Sequence, residues 1–122
     1  MSSVTDKGYN PARTRNDPKK LAEFIQSTIT GDLTEVPGLG DVTANLLRNQ
    51  GITTTYQLFG KFLSFMDEGV ECVELCDRFW YWLEDVVGTP AGYRGSIVQA
   101  VACKLDATYP GLYDSSRYEE NE

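Results

Sequence analysis

Val36-Pro37-Gly38-Leu39-Gly40, running straight into Asp41-Val42-Thr43-Ala44, is the stretch on which the fold turns. Two glycines flank one apolar residue. Gly38 and Gly40 can take backbone angles closed to other residues. Between two short helices, such a turn aims successive amide N–H groups outward at the positive start of the helix beginning near Asp41. That is an anion site suited to a phosphate. Leu39 is expected to point inward and Pro37 to stiffen the turn. Contacts of this kind hold a protein on a nucleic-acid backbone without reading sequence. The pattern predicts a helix–hairpin–helix element. Its plain alternative is a structural turn between core helices, as in protein-binding helical modules.

Upstream of the turn, Asp32 can cap a short helix through Leu33-Thr34-Glu35. Before that, Asp17-Pro18 pairs an N-cap with proline at the first helical position, and Leu21, Phe24, Ile25 and Ile29 continue at helical spacing up to Gly31. Residues 1–16 are polar, hold Gly8 and Pro11, and lack periodicity, which predicts a flexible basic arm. Downstream, a helix over 41–50 carries Val42, Leu46 and Leu47 and stops at Gly51. Thr53 can cap the next helix, with Tyr56, Phe59, Phe62 and Leu63 on one face. An acidic stretch, 67–77, leads to a helix with Phe79, Trp82, Leu83 and Val86, stopped by Gly88. Trp82 is expected in the core, and Trp80 or Tyr81 at a dimer interface, with base stacking as a minor option. Thr89-Pro90 repeats the cap-plus-proline start. The last helix runs to about Ala107 with Ile97, Val98, Val101 and Leu105 buried, and Pro110-Gly111 opens an acidic tail.

The 122 residues suit one domain with a modest core. The net charge of −7 is uneven. Residues 1–20 hold Lys7, Arg13, Arg15, Lys19 and Lys20 against Asp6 and Asp17, a net +3, and the remainder carries −10. An acidic body binds polyanions poorly, so a DNA contact must come from a local patch and backbone amides. The chain has no histidine, which removes the commonest general base and excludes Ser–His and Cys–His nucleophile pairs. Cys72, Cys76 and Cys103 are too few for a zinc site without histidine and read as small buried apolar residues. No catalytic residue, metal ligand, cofactor or small-molecule substrate is assigned. No apolar run is long enough to span a bilayer and no signal peptide is evident, so nucleus or cytoplasm is the expected location.

In order and spacing, these pieces resemble the barrier-to-autointegration factor family, small dimeric chromatin proteins. The resemblance spans about Asp17 to Asp106. It rests on Val36-Pro37-Gly38-Leu39-Gly40, Leu47, Gly51-Ile52, Tyr56-Gln57-Leu58-Phe59-Gly60-Lys61-Phe62-Leu63, Trp82-Leu83 and Gly88. It implies a helical homodimer in which each subunit binds one double-stranded DNA, so that the dimer bridges two segments. Family contacts come from the start of the first helix, the hairpin amides and the turn before the last helix. Here those places hold Lys19 and Lys20, then Gly38, Leu39 and Gly40, then Gly92, Tyr93 and Arg94. LEM-domain-like proteins are the partner class it implies. The chain departs from the family in having Asn45 and Leu46 where the family carries lysines, in Asp41 at the rim of the phosphate site, and in what reads as an acidic insertion at 67–77.

The expectation is therefore an all-α, compact bundle of five to six short helices containing a helix–hairpin–helix motif. Residues 1–16 form an arm, 17–107 the domain and 108–122 an acidic tail. The expected function is non-enzymatic, sequence-independent DNA binding and bridging through Lys19, Lys20, Gly38, Leu39, Gly40 and Arg94. The alternative is an acidic protein-interaction module of the same fold with weak or no DNA binding.

Overall fold

Asp17 opens the first helix as the sequence suggests: its carboxylate accepts the Lys19 N–H at 2.9 Å, and Pro18 takes the first helical position. The computed structural model describes residues 8–118, and among them there are helices and turns but no strand. The helices are α1 (Pro18–Gln26), α2 (Asp41–Asn49), α3 (Thr55–Ser64), α4 (Cys72–Trp82) and α5 (Ala91–Thr108), with short 3-10 turns at Pro11–Arg13, Leu33–Glu35 and Ser115–Tyr118. α1 ends at Gln26, earlier than Gly31, with Ser27 extended at the C-cap and Lys104 on α5 donating its ammonium to the carbonyls of Ile25 and Ser27. A cation there satisfies the orphan carbonyls of the last turn and complements its dipole. Ile29 then packs against the core from a loop.

The cap of α3 is Thr54 rather than Thr53. Thr54 and Gln57 form a reciprocal capping box, and Thr53 donates its own N–H to the same Gln57 oxygen at 2.6 Å. Thr55, Leu58 and Phe62 are the buried residues of α3, whereas Tyr56 lies outside with its hydroxyl donated to the Ile29 carbonyl. Only residues 67–71 of the acidic stretch form a connection. From Cys72 onward the chain is α4, with Cys72, Leu75, Cys76 and Phe79 buried. That spacing places one apolar stripe inward and leaves Glu71 and Glu74 in solvent. The second half of the stretch, from Cys72, is therefore core-forming helix.

A π-helical turn at Leu83–Val87 follows α4 and closes at Gly88 in the left-handed region, φ +84°. The wider turn adds a residue to the register, so Val87 faces the core and Val86 is 48% exposed, the reverse of the periodic expectation. Trp82 is half-buried, stacked on Phe79 at 5.9 Å and covered by Lys61. Thr89 does not cap α5. Its hydroxyl is fully buried without a hydrogen-bond partner, and Pro90 holds the cap position. α5 lies against α1 and α4, and Ile97, Val98, Val101 and Leu105 are all buried.

The two ends differ most from expectation. Residues 1–7 of the basic arm and 119–122 of the acidic tail lie outside the described residues. Residues 8–16 form a docked strap. Tyr9 is buried, its N–H donates to the Asp77 carboxylate at 2.8 Å, and its hydroxyl meets that of Tyr113 at 2.7 Å. The rings of Tyr9, Tyr113 and Tyr118 pack together, and Leu112 is buried beside them. The physical reason is non-local: an aromatic residue on each flank supplies the apolar area that a polar arm or tail would lack.

Candidate nucleic-acid interface

Gly38 is a glycine for two reasons. Its φ is +88°, and a Cβ there would sit 2.7 Å from the Ser96 Cβ on α5. The turn thus presses its backbone onto α5, and Leu39 anchors it in the core. Leu39 spends its own N–H on the Val36 carbonyl at 3.0 Å, so that amide belongs to the turn and is not open to a ligand. Gly40 differs from the expectation of a special backbone angle. It is extended (φ −98°, ψ −168°), and a Cβ there meets nothing within 4 Å. It is the N-cap of α2 without a side chain to cap it.

The consequence is a set of open donors. The first helical bond of α2 runs from the Ala44 N–H to the Gly40 carbonyl at 2.9 Å. Among the described residues, no acceptor takes the amides of Gly40, Asp41, Val42 or Thr43. These are the orphan N–H groups of a helix start, at its positive end.

They face a groove of about 1180 Å³. Lys20 and Glu23 of α1 line it, with the 36–43 stretch, then Gly92, Tyr93 and Ser96 of α5, and Arg15 of the strap. Val42, expected on the buried face, is 66% exposed here. Lys20, Gly38, Leu39 and Gly40 are thus brought together, and Lys19 is exposed outside the lining. Arg94 is turned away. Its guanidinium donates to the Thr89 carbonyl at 2.8 Å and to Glu84 at 3.2 Å, and lies 5.1 Å from the Trp80 ring centre. It holds the π-turn to the start of α5 and is not a free phosphate contact.

The carboxylates around the groove are not equivalent. Glu35 accepts the Thr30 and Gly31 amides, each at 3.0 Å, and the Thr55 hydroxyl at 2.7 Å. Burial pushes its pKa up, and these bonds outweigh burial and hold it below the ordinary value. Glu35 is a bracket joining the 30–31 loop to α3. Asp17 serves as the α1 cap. Glu23 and Asp41 remain as uncapped negative charges at the groove. The sequence reading left Arg15 unassigned within the basic arm, with the +3 charge of the first 20 residues as its signal, and the structure places it in the lining.

Comparison with protein-family models, curated proteins and solved structures finds no match for this chain. Among the described residues, no cluster of three or more His, Cys, Asp or Glu side chains is placed to hold a metal ion, and no helix is long and apolar enough to cross a membrane.

Proposed function

We propose that this chain is a non-enzymatic, sequence-independent binder of double-stranded DNA, of the barrier-to-autointegration factor type. In this reading the 33–49 segment acts as a helix–hairpin–helix. The open amides from Gly40 to Thr43 take a backbone phosphate, and Lys20 supports it. A homodimer with one groove per subunit bridges two duplexes, in a nuclear setting with LEM-domain-like proteins as candidate partners.

The supporting observation is convergence. The resemblance points to three separate stretches, at 19–20, 38–40 and 92–94, and Lys20, Gly38 to Gly40, Gly92 and Tyr93 line one groove. Backbone donors with Lys20 beside them suit phosphate binding without base recognition. Glu23 and Asp41 at that groove favour the second reading, an acidic module for a basic protein partner.

The test is titration of labelled duplexes of unrelated sequence with the full chain across a salt series, beside a light-scattering mass. DNA binding predicts equal affinities on all duplexes and a log affinity that falls linearly with log salt. Bridging predicts a dimer. Folded protein that leaves duplex DNA unbound at low salt rejects the reading and leaves the acidic module.

A further inference from the structure

The strap over residues 8–16 is anchored more firmly than a polar segment needs to be. The Thr14 hydroxyl donates to the Gln99 side chain at 3.0 Å, and the Asn16 amide donates to the Ser96 carbonyl at 3.0 Å. Between them the Arg15 N–H donates to the Ser96 hydroxyl at 3.4 Å. Ser96 is also the residue whose Cβ abuts Gly38. One turn of α5 therefore holds both the phosphate-binding turn and the strap. The Arg15 side chain follows from that placement. It lines the main groove and also a smaller cleft of about 340 Å³ beyond it, bounded by Arg13, Trp80, Gly92 and Gly95.

Arg15 differs from the other arginines of the fold. Arg78 is bonded to Glu74, Arg94 to Glu84 and Arg117 to Glu71, and Arg48 donates to Asn45 at 2.7 Å. The Arg15 guanidinium has no partner among the described residues, although its backbone is fixed on both sides. Gly92 lines both clefts, and a Cβ there would meet nothing within 4 Å. A ligand backbone can approach closely over such a surface.

We propose that Arg15 takes a second DNA backbone phosphate where the two clefts join, so that the strap is part of the DNA-binding surface. The inference rests on the DNA reading above and extends its footprint from the α2 amides across the start of α5. A guanidinium offers a planar fork to phosphate oxygens, and its strength here comes from being positioned without being neutralised. It also supplies charge the groove lacks: among the described residues, Lys20 is the other cation in a lining that holds the carboxylates of Asp17, Glu23, Glu35 and Asp41.

The experiment compares the full chain with Arg15→Gln and Arg15→Lys by fluorescence anisotropy on duplex DNA over a salt series, with thermal melts alongside. Arg15→Gln is expected to reduce the slope of log affinity against log salt by about 0.9, which is roughly eightfold in affinity at 0.1 M salt, on every sequence alike. Its melting temperature should stay put, because the strap is held by backbone and neighbouring side chains. Arg15→Lys should recover the slope. An unchanged slope in Arg15→Gln, with Gly40→Asp still abolishing binding, overturns this inference and leaves the DNA reading standing. A wild-type chain that does not bind overturns both.

Discussion

Gly40→Asp separates folding from binding at the centre of the candidate site. Gly40 is the N-cap of α2, its backbone is extended, and a Cβ there has open space. An aspartate can adopt that conformation and accept the Val42 or Thr43 N–H with its carboxylate. As a cap, Asp exceeds Gly by a few tenths of a kcal/mol. The helix dipole adds about 0.3–1 kcal/mol, offset in part by repulsion from Asp41 next to it. The melting temperature should therefore hold or rise by roughly 2 °C. Binding should move the other way. The new carboxylate occupies the amides a phosphate would use and stands about 4 Å from it, where like charges near a protein surface repel by about 4 kcal/mol. That is close to a thousandfold in affinity. Gly40→Ser caps equally well without a charge and should lose far less. The paired assay is a thermal melt and a duplex titration on the same preparations. A folded Gly40→Asp chain that binds DNA like wild type would refute the assignment of these amides.

Two further predictions follow from the packing around the turn and the strap. Gly38→Ala places a Cβ 2.7 Å from the Ser96 Cβ at a φ of +88°. Backbone and steric costs together come to about 2–5 kcal/mol, a melting-temperature drop on the order of 10 °C. Ser96→Gly added to it should return part of that loss, and strict additivity in the melts would contradict the contact. Burial raises the Tyr9 pKa above its ordinary value of 10.0, reinforced by Tyr113, and burial likewise raises Tyr113 and Tyr118. For an acid whose folded pKa is raised, the stabilisation is whole below pH 10 and is lost as pH climbs beyond it. Tyr9 alone then contributes a fall of about 1.4 kcal/mol per pH unit. Melts between about pH 9 and 12 should steepen above 10 and become shallower in Tyr9→Phe; equal steepness in the two proteins would show that strap burial is not the source.

What the sequence made legible was what short-range bonding decides. Asp17-Pro18, Asp32, Gly51 and Gly88 mark helix ends through contacts within a few residues, and the structure places ends at or beside each. Periodicity alone failed wherever a distant group set the outcome. Ile29 continues the α1 period, but the helix ends at Gln26, where Lys104 of α5 takes its last carbonyls. Val86 fits a regular helix, and the π-turn hands its place to Val87. Val42 fits an apolar face, yet it lines the groove. Tyr9 stands among polar residues, and its partners are 68 and 104 positions away. Lys20 and the 38–40 turn, which the sequence singled out, line one groove, but side-chain direction was beyond it. Arg94 is one residue from the groove-lining Tyr93, and its guanidinium belongs to Glu84 and Thr89.

The same directional logic bears on where a phosphate's positive charge would come from. α2 holds no lysine, with Asn45 and Leu46 in its middle. Its one basic residue, Arg48, donates to Asn45 on its own helix. Asp41 meanwhile puts a carboxylate in the first turn, where it stabilises α2 through the dipole that a phosphate would also use. Any anion binding here is therefore a competition between an internal negative charge and an external one. The external one prevails only if cations from outside α2 stand beside the amides. Among the described residues, Lys20 on α1 and Arg15 on the strap are the two cations that line the groove. On the DNA reading, the docked strap is then no ornament of the N-terminal side: it supplies charge that α2 does not carry.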